Sequence, residues 1–369
     1  MNQHFDVLTQ LTERVRAASA SASPLRIRGG GTKDFYGHAP RGATLDMTTY
    51  AGVVSYEPSE LVVTARAGTP LAELEALLAA EGQCLPFEPP HFGPGATVGG
   101  MVASGLNGPA RSSVGAVRDY VLGVQLLNGK GEVLTYGGQV MKNVAGYDVS
   151  RLMAGSLGTL AVILEVSMKV LPVPPAECTL TFALAETAAL QQLNRWGGLP
   201  LPINASCWQS MGEAGQLVVR LRGAVAAVAA AQKTMGGQLL PAAEAAPLWH
   251  SLREQTAPFF ALQSGESLWR ASVADTAPPL ALGNTLIEWG GAQRWLKRPA
   301  GDAVVVRAAA GAAHGHATLF RGADADHVDD HAVPVFTPLS APLARIQHNL
   351  KTQFDPTGIL NPGRMLAAA

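Results

Sequence analysis

The sequence predicts an α+β protein built from two domains. Three features predict it: glycine-rich segments accompany strand-like segments in the first half, a group of prolines follows, and strand-like and helix-like segments alternate beyond. A chain of 369 residues can bury two hydrophobic cores. Proline cannot donate to a sheet and stiffens a linker, so Pro172, Pro174 and Pro175 indicate the junction. The alternation beyond it is typical of helices covering one face of an antiparallel sheet.

The elements of the first half follow from spacing and turn chemistry. Phe5, Leu8, Leu11 and Val15 recur at helical spacing, which predicts an N-terminal helix and linker over 1–24. A domain over 25–173 follows, and its predicted strands cover 25–28, 61–66, 121–127, 132–136 and 161–171. Thr69 and Pro70 suit the N-cap and first position of a helix with a leucine face.

The second half is predicted to form a smaller α+β domain over 174–340. Its strand candidates are 179–184, 216–221, 267–273, 284–289 and 317–320, and its helix candidates are 186–196 and 224–235. A last helix, over 342–354, opens a C-terminal segment over 341–369. No internal repeat is evident in the sequence.

Composition excludes several classes of function. The apolar fraction of 47%, the charged fraction of 15% and the net charge of -1 describe a well-packed protein without a basic block, so neither nucleic acid nor an anionic membrane surface is a predicted partner. No apolar run approaches the roughly 18 residues of a membrane span. Cys84, Cys178 and Cys207 are too few to hold an iron–sulfur cluster, and they favour a reducing, cytoplasmic compartment.

Three glycine clusters carry the chemistry of the first half. Consecutive glycines allow positive φ and let several backbone N–H groups approach one anion. Each cluster alone is typical of an ordinary turn, but the order and spacing of the three together indicate a binding site. The candidate binding residues are Arg28, Gly29, Gly30, Gly31 and Thr32 in the first cluster, Pro94, Gly95, Thr97, Gly99, Gly100 and Ser104 in the second, and Gly155, Gly158 and Thr159, with Val162 of the following strand, in the third.

These clusters resemble those of the vanillyl-alcohol oxidase superfamily, over about residues 25–172. The resemblance implies a PCMH-type FAD-binding domain of two subdomains, followed by a ferredoxin-like cap domain. It implies that the first two clusters hold the FAD pyrophosphate, and that the run 142–148 and the third cluster line the adenine and flavin. FAD is expected to be non-covalent, because the family's attachment histidine is replaced by Gly31 and Thr32; His38 and His91 stay unassigned. A dinucleotide GxGxxG, a Walker lysine and an HExxH are all missing from the sequence.

The second half resembles the same enzymes only in part. The tail 354–365 is similar to the ending of D-2-hydroxyacid dehydrogenases, where it returns to the flavin domain, and Asn361 or Arg364 could then meet the flavin or a carboxylate. The cap histidine signature of substrate-oxidising members is replaced by His314 and His316 without a nearby carboxylate. The sequence therefore names no metal site, and the catalytic base stays unknown.

Residues 287–296 and 316–322, with the chain length, resemble the smaller FAD-binding subunits of bacterial glycolate oxidases. That resemblance implies oxidation of a small 2-hydroxy acid, glycolate, within a complex with a larger FAD-binding subunit and an iron–sulfur subunit. Two alternatives stay open: a self-sufficient FAD-dependent 2-hydroxyacid dehydrogenase, and a non-catalytic subunit that only holds flavin. The expected location is cytoplasmic, with attachment to the inner membrane through the complex as the alternative.

Overall fold

A computed structural model describes residues 2–138, 148–211, 214–322 and 333–365. The predicted run 142–148 lies outside them except for its last residue. The helices are α1 (Asn2–Ala20), α2 (Leu71–Ala80), α3 (Val98–Ser104), α4 (Arg111–Val114), α5 (Val117–Tyr120), α6 (Val149–Leu152), α7 (Glu186–Gly197), α8 (Val225–Met235), α9 (Ala242–Arg253), α10 (Ala303–Ala312) and α11 (Ala341–Phe354).

The strands alternate with these helices in both halves of the chain. They are β1 (Leu25–Arg28), β2 (Ala43–Asp46), β3 (Val53–Glu57), β4 (Val62–Arg66), β5 (Gln83–Cys84), β6 (Val121–Leu127), β7 (Val133–Gly137), β8 (Val162–Lys169), β9 (Leu171–Pro172), β10 (Ala176–Ala183), β11 (Ile203–Met211), β12 (Ala214–Gly223), β13 (Gln238–Leu240), β14 (Ser267–Ser272), β15 (Thr285–Glu288), β16 (Gln293–Arg298) and β17 (His316–Gly322). The α+β class is confirmed.

The first half contains three sheets, and the two that place the glycine clusters side by side are described first; the third is the short pair β5–β9. A five-stranded antiparallel sheet has the order β3-β4-β8-β6-β7, and a separate parallel pair joins β1 to β2. Leucines at helical spacing on α2 (Leu71, Leu74 and Leu78) are fully buried in one core with the helix α3. The first cluster follows β1, the second leads into α3, and the third leads into β8.

The second half forms one eight-stranded antiparallel sheet, here called the cap sheet, in the order β13-β10-β12-β11-β15-β16-β14-β17. The segment from β10 to β13 is a βαββαβ unit whose four strands follow the ferredoxin-like order. The strands β14 to β17 repeat that order, with the loop 273–284 in place of a first helix. The two units meet where β11 pairs with β15. The cap is therefore a structural repeat that the sequence does not reveal.

The two faces of the cap sheet pack against different partners. Helices α7 and α8 cover one face of the first unit, and α10 covers the same face of the second. The opposite face carries Trp295 and Phe320 into a core shared with Tyr36, Leu106 and Leu157 of the first half. That shared core lies beside the glycine clusters.

The tail returns to the first half after α11. Leu25 donates from its backbone to Ile359, and the backbone of Asn361 donates back to Leu25, so the tail extends the β1 edge. Within the described ranges, no helix combines the length and the apolar character that crossing a membrane requires.

Several sequence predictions need correction. Thr69 does not cap α2, because its hydroxyl bonds instead to both the backbone N–H and the C=O of Gly52, and Pro70 occupies the cap position. Several elements were not predicted: the strands β2, β3, β5, β11, β13 and β16 and the helices α3, α4, α5, α6, α9 and α10. The division of the chain into two domains at 173–174 stays a prediction; β9 ends at Pro172 and β10 begins at Ala176.

Candidate functional site

The three glycine clusters converge on one cleft beside the parallel pair β1–β2. Ten of the fifteen predicted residues line it: Arg28, Gly29, Gly30, Gly31, Thr32, Thr97, Gly99, Gly100, Ser104 and Gly158. The structure thus brings most of the predicted site together, while contact with a ligand stays a prediction.

The first cluster, here called the cradle (Arg28–Thr32), packs directly against the second. A Cβ at Gly30 would lie 1.6 Å from the carbonyl oxygen of Gly95, and one at Gly29 would lie 2.3 Å from Thr97 Oγ1. Gly31 adopts a φ of 76°, which favours glycine. Glycine is required here by loop-to-loop contact as much as by access to a ligand.

The backbone N–H groups of the cradle and its next residue are available to a ligand. Those of Gly30, Gly31, Thr32 and Lys33 donate to no acceptor in the parts of the chain that the structure describes. All four residues line the cleft. Consecutive amides without acceptors form a concavity suited to an anion such as a diphosphate.

The charge of the cleft fits the same kind of ligand. Four cationic side chains and one carboxylate line it: Arg26, Arg28, Lys33, Arg364 and Asp34. Asp34 bridges Arg26 at 2.6 Å and Arg28 at 2.9 Å, so it orients both guanidinium groups. Burial lowers the pKa of Lys33 to about 8, and the negative charge of Glu254 offsets part of that shift. Near neutral pH the lining therefore carries net positive charge.

The second cluster contributes a helix end and two hydroxyls. Thr97 caps α3, and its Oγ1 accepts from the N–H of Gly100 at 3.2 Å, which leaves the hydroxyl proton free to donate. Ser104 donates to the carbonyl of Met101. The backbone of Gly95 packs against Gly30 of the cradle. Pro94 and Thr32 both line a neighbouring opening.

The third cluster holds α3 in place. The N–H of Gly155 donates to Val102 and that of Leu157 donates to Ala103, so the cluster binds the last turn of α3. Gly158 lines the cleft with a φ of 68°. Thr159 donates to Ser156 beneath it. Val162 is fully buried in the core.

Strand alternation explains residues that the sequence reasoning missed. Ala161 and Ile163 flank Val162 and line the cleft in its place. Arg26 and Ile27 of β1 line it as well. The period-two pattern of β8 was the available signal for Ala161 and Ile163, whereas β1 contributes consecutive residues that alternation does not predict.

The tail residues Asn361 and Arg364 line the cleft but are held by backbone groups. The Asn361 side chain accepts from the N–H of Ile27 at 2.7 Å and donates to Leu157 at 2.7 Å. Arg364 donates to the carbonyls of Lys33, Asp34 and His38. Asn361 thus joins the strand before the cradle to the third cluster, and Arg364 holds the segment that follows the cradle.

The unassigned histidines lie away from the cleft lining. His91 contacts Glu75 at 2.9 Å, and His38 is buried with its carbonyl bonded to Arg364. His314 occupies a turn with a φ of 56°, and His316 begins β17. Among the described residues, no three histidine, cysteine, aspartate or glutamate side chains gather as a metal ion would require.

Taken together, the free amides, the glycine contacts and the cationic lining fit a dinucleotide with a pyrophosphate, and they define an FAD-binding flavoprotein. Residues 8–137 match the FAD binding domain family. The chain is 46% identical to glycolate oxidase subunit GlcE of Escherichia coli over 368 residues, which cover all of this chain and 99% of that protein. The chain belongs to this family of glycolate oxidase subunits. It is an FAD-dependent oxidoreductase with a PCMH-type domain.

More distant similarities cover part of the chain or the fold alone. The mitochondrial D-lactate dehydrogenase of Arabidopsis thaliana is 33% identical over 39% of this chain and 26% of that protein. Glycolate oxidase subunit GlcD of Bacillus subtilis is 31% identical over 42% of this chain and 34% of that protein. A solved structure of alkyldihydroxyacetonephosphate synthase superposes with a TM-score of 0.64 over 96% of this chain and 75% of that one, at 16% identity.

Proposed function

We propose that this chain is the smaller FAD-binding subunit of a complex that oxidises glycolate to glyoxylate. It would work with a larger FAD-binding subunit and pass electrons to an iron–sulfur subunit. The similarity to the GlcE protein along the whole chain supports this assignment most strongly. Bound FAD supplies the two-electron acceptor for the oxidation.

The cradle is proposed to hold FAD without a covalent bond. The N–H groups from Gly30 to Lys33 would bind the pyrophosphate, with Arg26 and Arg28 adding charge nearby. The Thr97 hydroxyl would donate to the ligand. Gly95, Gly155 and Val162 would not contact the cofactor. They would instead hold the cradle, α3 and β8 in position around it.

An anaerobic mixing experiment tests the assignment. The purified, FAD-loaded chain is mixed with glycolate, alone and with the larger flavin subunit and iron–sulfur subunit, and the absorbance of oxidised flavin is followed. We expect bleaching in the reconstituted mixture that exceeds the sum of the separate subunits. Complete bleaching of the lone chain at the same rate would instead identify a self-sufficient dehydrogenase.

Two further outcomes separate the remaining possibilities. If the flavin of this chain stays oxidised while the other subunits turn over, the chain only holds its flavin. A well-folded chain that neither retains FAD nor takes it up on reconstitution would overturn the proposal. Cell fractionation tests attachment to the inner membrane. The proposal predicts that this subunit is found in the membrane fraction only when the other subunits of the complex are present, and that it is released together with them.

A further inference from the structure

One carboxylate from the second half of the chain reaches the loop that leads into the second glycine cluster. Helix α9 ends at Arg253, and Glu254 follows it as the C-cap residue. Glu254 Oε2 accepts from the backbone N–H of His91 at 3.0 Å and from that of Phe92 at 2.8 Å. These two residues lie directly before the segment 93–95 of the second cluster. The carboxylate therefore joins the two halves of the chain at the edge of the FAD site.

The loop that Glu254 binds has an unusual backbone conformation. Phe92 adopts a φ of 56°, which residues other than glycine rarely do, and Gly93 follows with a φ of 140°. Such a conformation persists where its surroundings hold it, and hydrogen bonds to a charged acceptor are stronger than those to a neutral one. Two residues further on, the carbonyl oxygen of Gly95 packs against Gly30 of the cradle. Glu254 thus helps to fix where the second cluster meets the cradle.

The same loop holds Lys33, which lines the FAD cleft. Lys33 Nζ donates to the carbonyl of His91 at 3.1 Å and lies 5.5 Å from the centroid of the Phe92 ring. His91 therefore donates to Glu254 from its N–H and accepts from Lys33 at its carbonyl. The Glu254 side chain is only 10% exposed, so water screens its charge little. That charge raises the pKa of Lys33, against the larger lowering by burial, and so favours the protonated amine.

The other charged side chains around Lys33 have contacts of their own. They are Arg26, Arg28 and Asp34 on the cradle side, Arg364 in the tail, and His91 and Arg253 beside Glu254. Asp34 pairs with both of its arginines, and the ring of His91 contacts Glu75. Of the carboxylates in the described part of the chain, Glu254 is the one whose charge shifts the pKa of Lys33.

We propose that Glu254 is a positioning residue, which holds the loop 91–95 and Lys33 in place for the diphosphate of FAD. The inference rests on the proposed role of the cradle, whereas the contacts of Glu254 are features of the fold. Through Glu254 the second half of the chain contributes to the cofactor site by way of the loop. FAD affinity then depends on how helix α9 is seated.

Two substitutions separate the hydrogen bonds of Glu254 from its charge. The full-length chain, stripped of FAD, is titrated with FAD at pH values below and above about 8, the pKa of Lys33. Glu254→Ala leaves two N–H groups unpaired, and we expect a loss of FAD affinity of roughly ten-fold or more at every pH. Glu254→Gln keeps an acceptor oxygen for both N–H groups and loses the charge. It should bind FAD about as tightly as wild type at low pH, but its decline with rising pH should begin at a lower pH, because the pKa of Lys33 falls.

Glu75→Gln is the matched control, because Glu75 contacts the ring of His91 and not its backbone. It should leave both the FAD affinity and its pH profile as in wild type. Circular dichroism checks the fold of each variant, and Glu254→Gln decides should Glu254→Ala unfold. A residue that only fastened two segments would leave Lys33 unaffected, so a wild-type pH profile in folded Glu254→Gln would overturn the inference. Wild-type affinity in folded Glu254→Ala would do the same. If a folded Gly30→Val chain also binds FAD like wild type, the proposed cradle fails instead.

Discussion

The FAD cleft and a small cavity on the cap sheet, which Arg270, Glu288 and Gln293 line and which we call the Arg270 cavity, are built in opposite ways. Consecutive residues 30–33, whose backbone N–H groups have no acceptor among the described residues, line the cleft, and glycines bring its loops together. The cavity is built from side chains on three strands that lie far apart in sequence, β14, β15 and β16. A backbone site is defined by one local segment, while a side-chain site exists only once the sheet is assembled.

This difference sets how each site responds to substitution. In the cleft an added Cβ should do most damage, because it separates loops whose spacing the amides need. In the Arg270 cavity an exchanged functional group should do most damage, because side chains supply most of the polar atoms around it. The predictions below test the first half of this contrast.

The largest effect is expected for Gly30→Val. The new Cβ would lie 1.6 Å from the Gly95 carbonyl oxygen, so the cradle must move away from the second cluster. We expect this overpacking to cost about 3 kcal/mol, which corresponds to a loss of FAD affinity of about a hundred-fold. The measurement is flavin content per chain after purification, followed by titration of the apoprotein with FAD.

Gly197→Ala is the matched control, because nothing lies within 4 Å of a Cβ at that position. It should retain FAD like wild type. Circular dichroism on both variants separates loss of the cofactor from loss of the fold. Wild-type FAD affinity in a folded Gly30→Val chain would show that the cradle does not hold the cofactor.

The same contrast explains what the sequence could predict. The cradle was predictable because Gly29, Gly30 and Gly31 follow directly after a strand, and local glycine chemistry decides the loop. That the three glycine clusters meet in one cleft could be predicted only from the family resemblance. The role of the glycines was predicted incompletely: Gly30 was expected to give a ligand access to the backbone, and in the structure it also lets Gly95 approach the cradle.

The Arg270 cavity could not be predicted from the sequence. Arg270, Glu288 and Gln293 each look like ordinary strand residues, and only the register of β14, β15 and β16 brings them to one place. The repeat of the cap sheet was hidden for a similar reason: its two units share strand order, and the second replaces a helix with a loop. Thr69 was misassigned because its tertiary partner, Gly52, competes with the local cap.

An intermediate effect is expected for Asn361→Leu, because the Asn361 side chain holds backbone segments of the FAD cleft together. Its amide satisfies the N–H of Ile27 and the carbonyl of Leu157, and the substitution leaves both unpaired. We expect a loss of about 2 kcal/mol in the free energy of unfolding, measured by urea denaturation. Asn349→Leu, on the exposed side of α11, is the control and should change stability by about 0.5 kcal/mol or less. Equal stability of the two variants would mean that the tail does not fasten the cradle.

The smallest effect is expected from the charge of Lys33. Burial lowers its pKa to about 8. A bound diphosphate favours the protonated amine and raises that pKa. FAD affinity should therefore be greatest below about pH 8 and fall as the pH rises through that value, by about five-fold for an interaction of about 1 kcal/mol. Fluorescence titration of the apoprotein with FAD across this range measures the change.

Two variants assign this pH dependence to Lys33. Lys33→Met should bind FAD weakly at every pH without the decline, because it has no charge to lose. Lys33→Arg should bind without the decline as well, since a guanidinium stays protonated throughout. An unchanged decline in Lys33→Met would place the titrating group elsewhere, and the cleft would then owe its affinity to the amides and to Arg26 and Arg28. That result would make the contrast sharper, because the charge of Lys33 would then matter less than the backbone amides beside it.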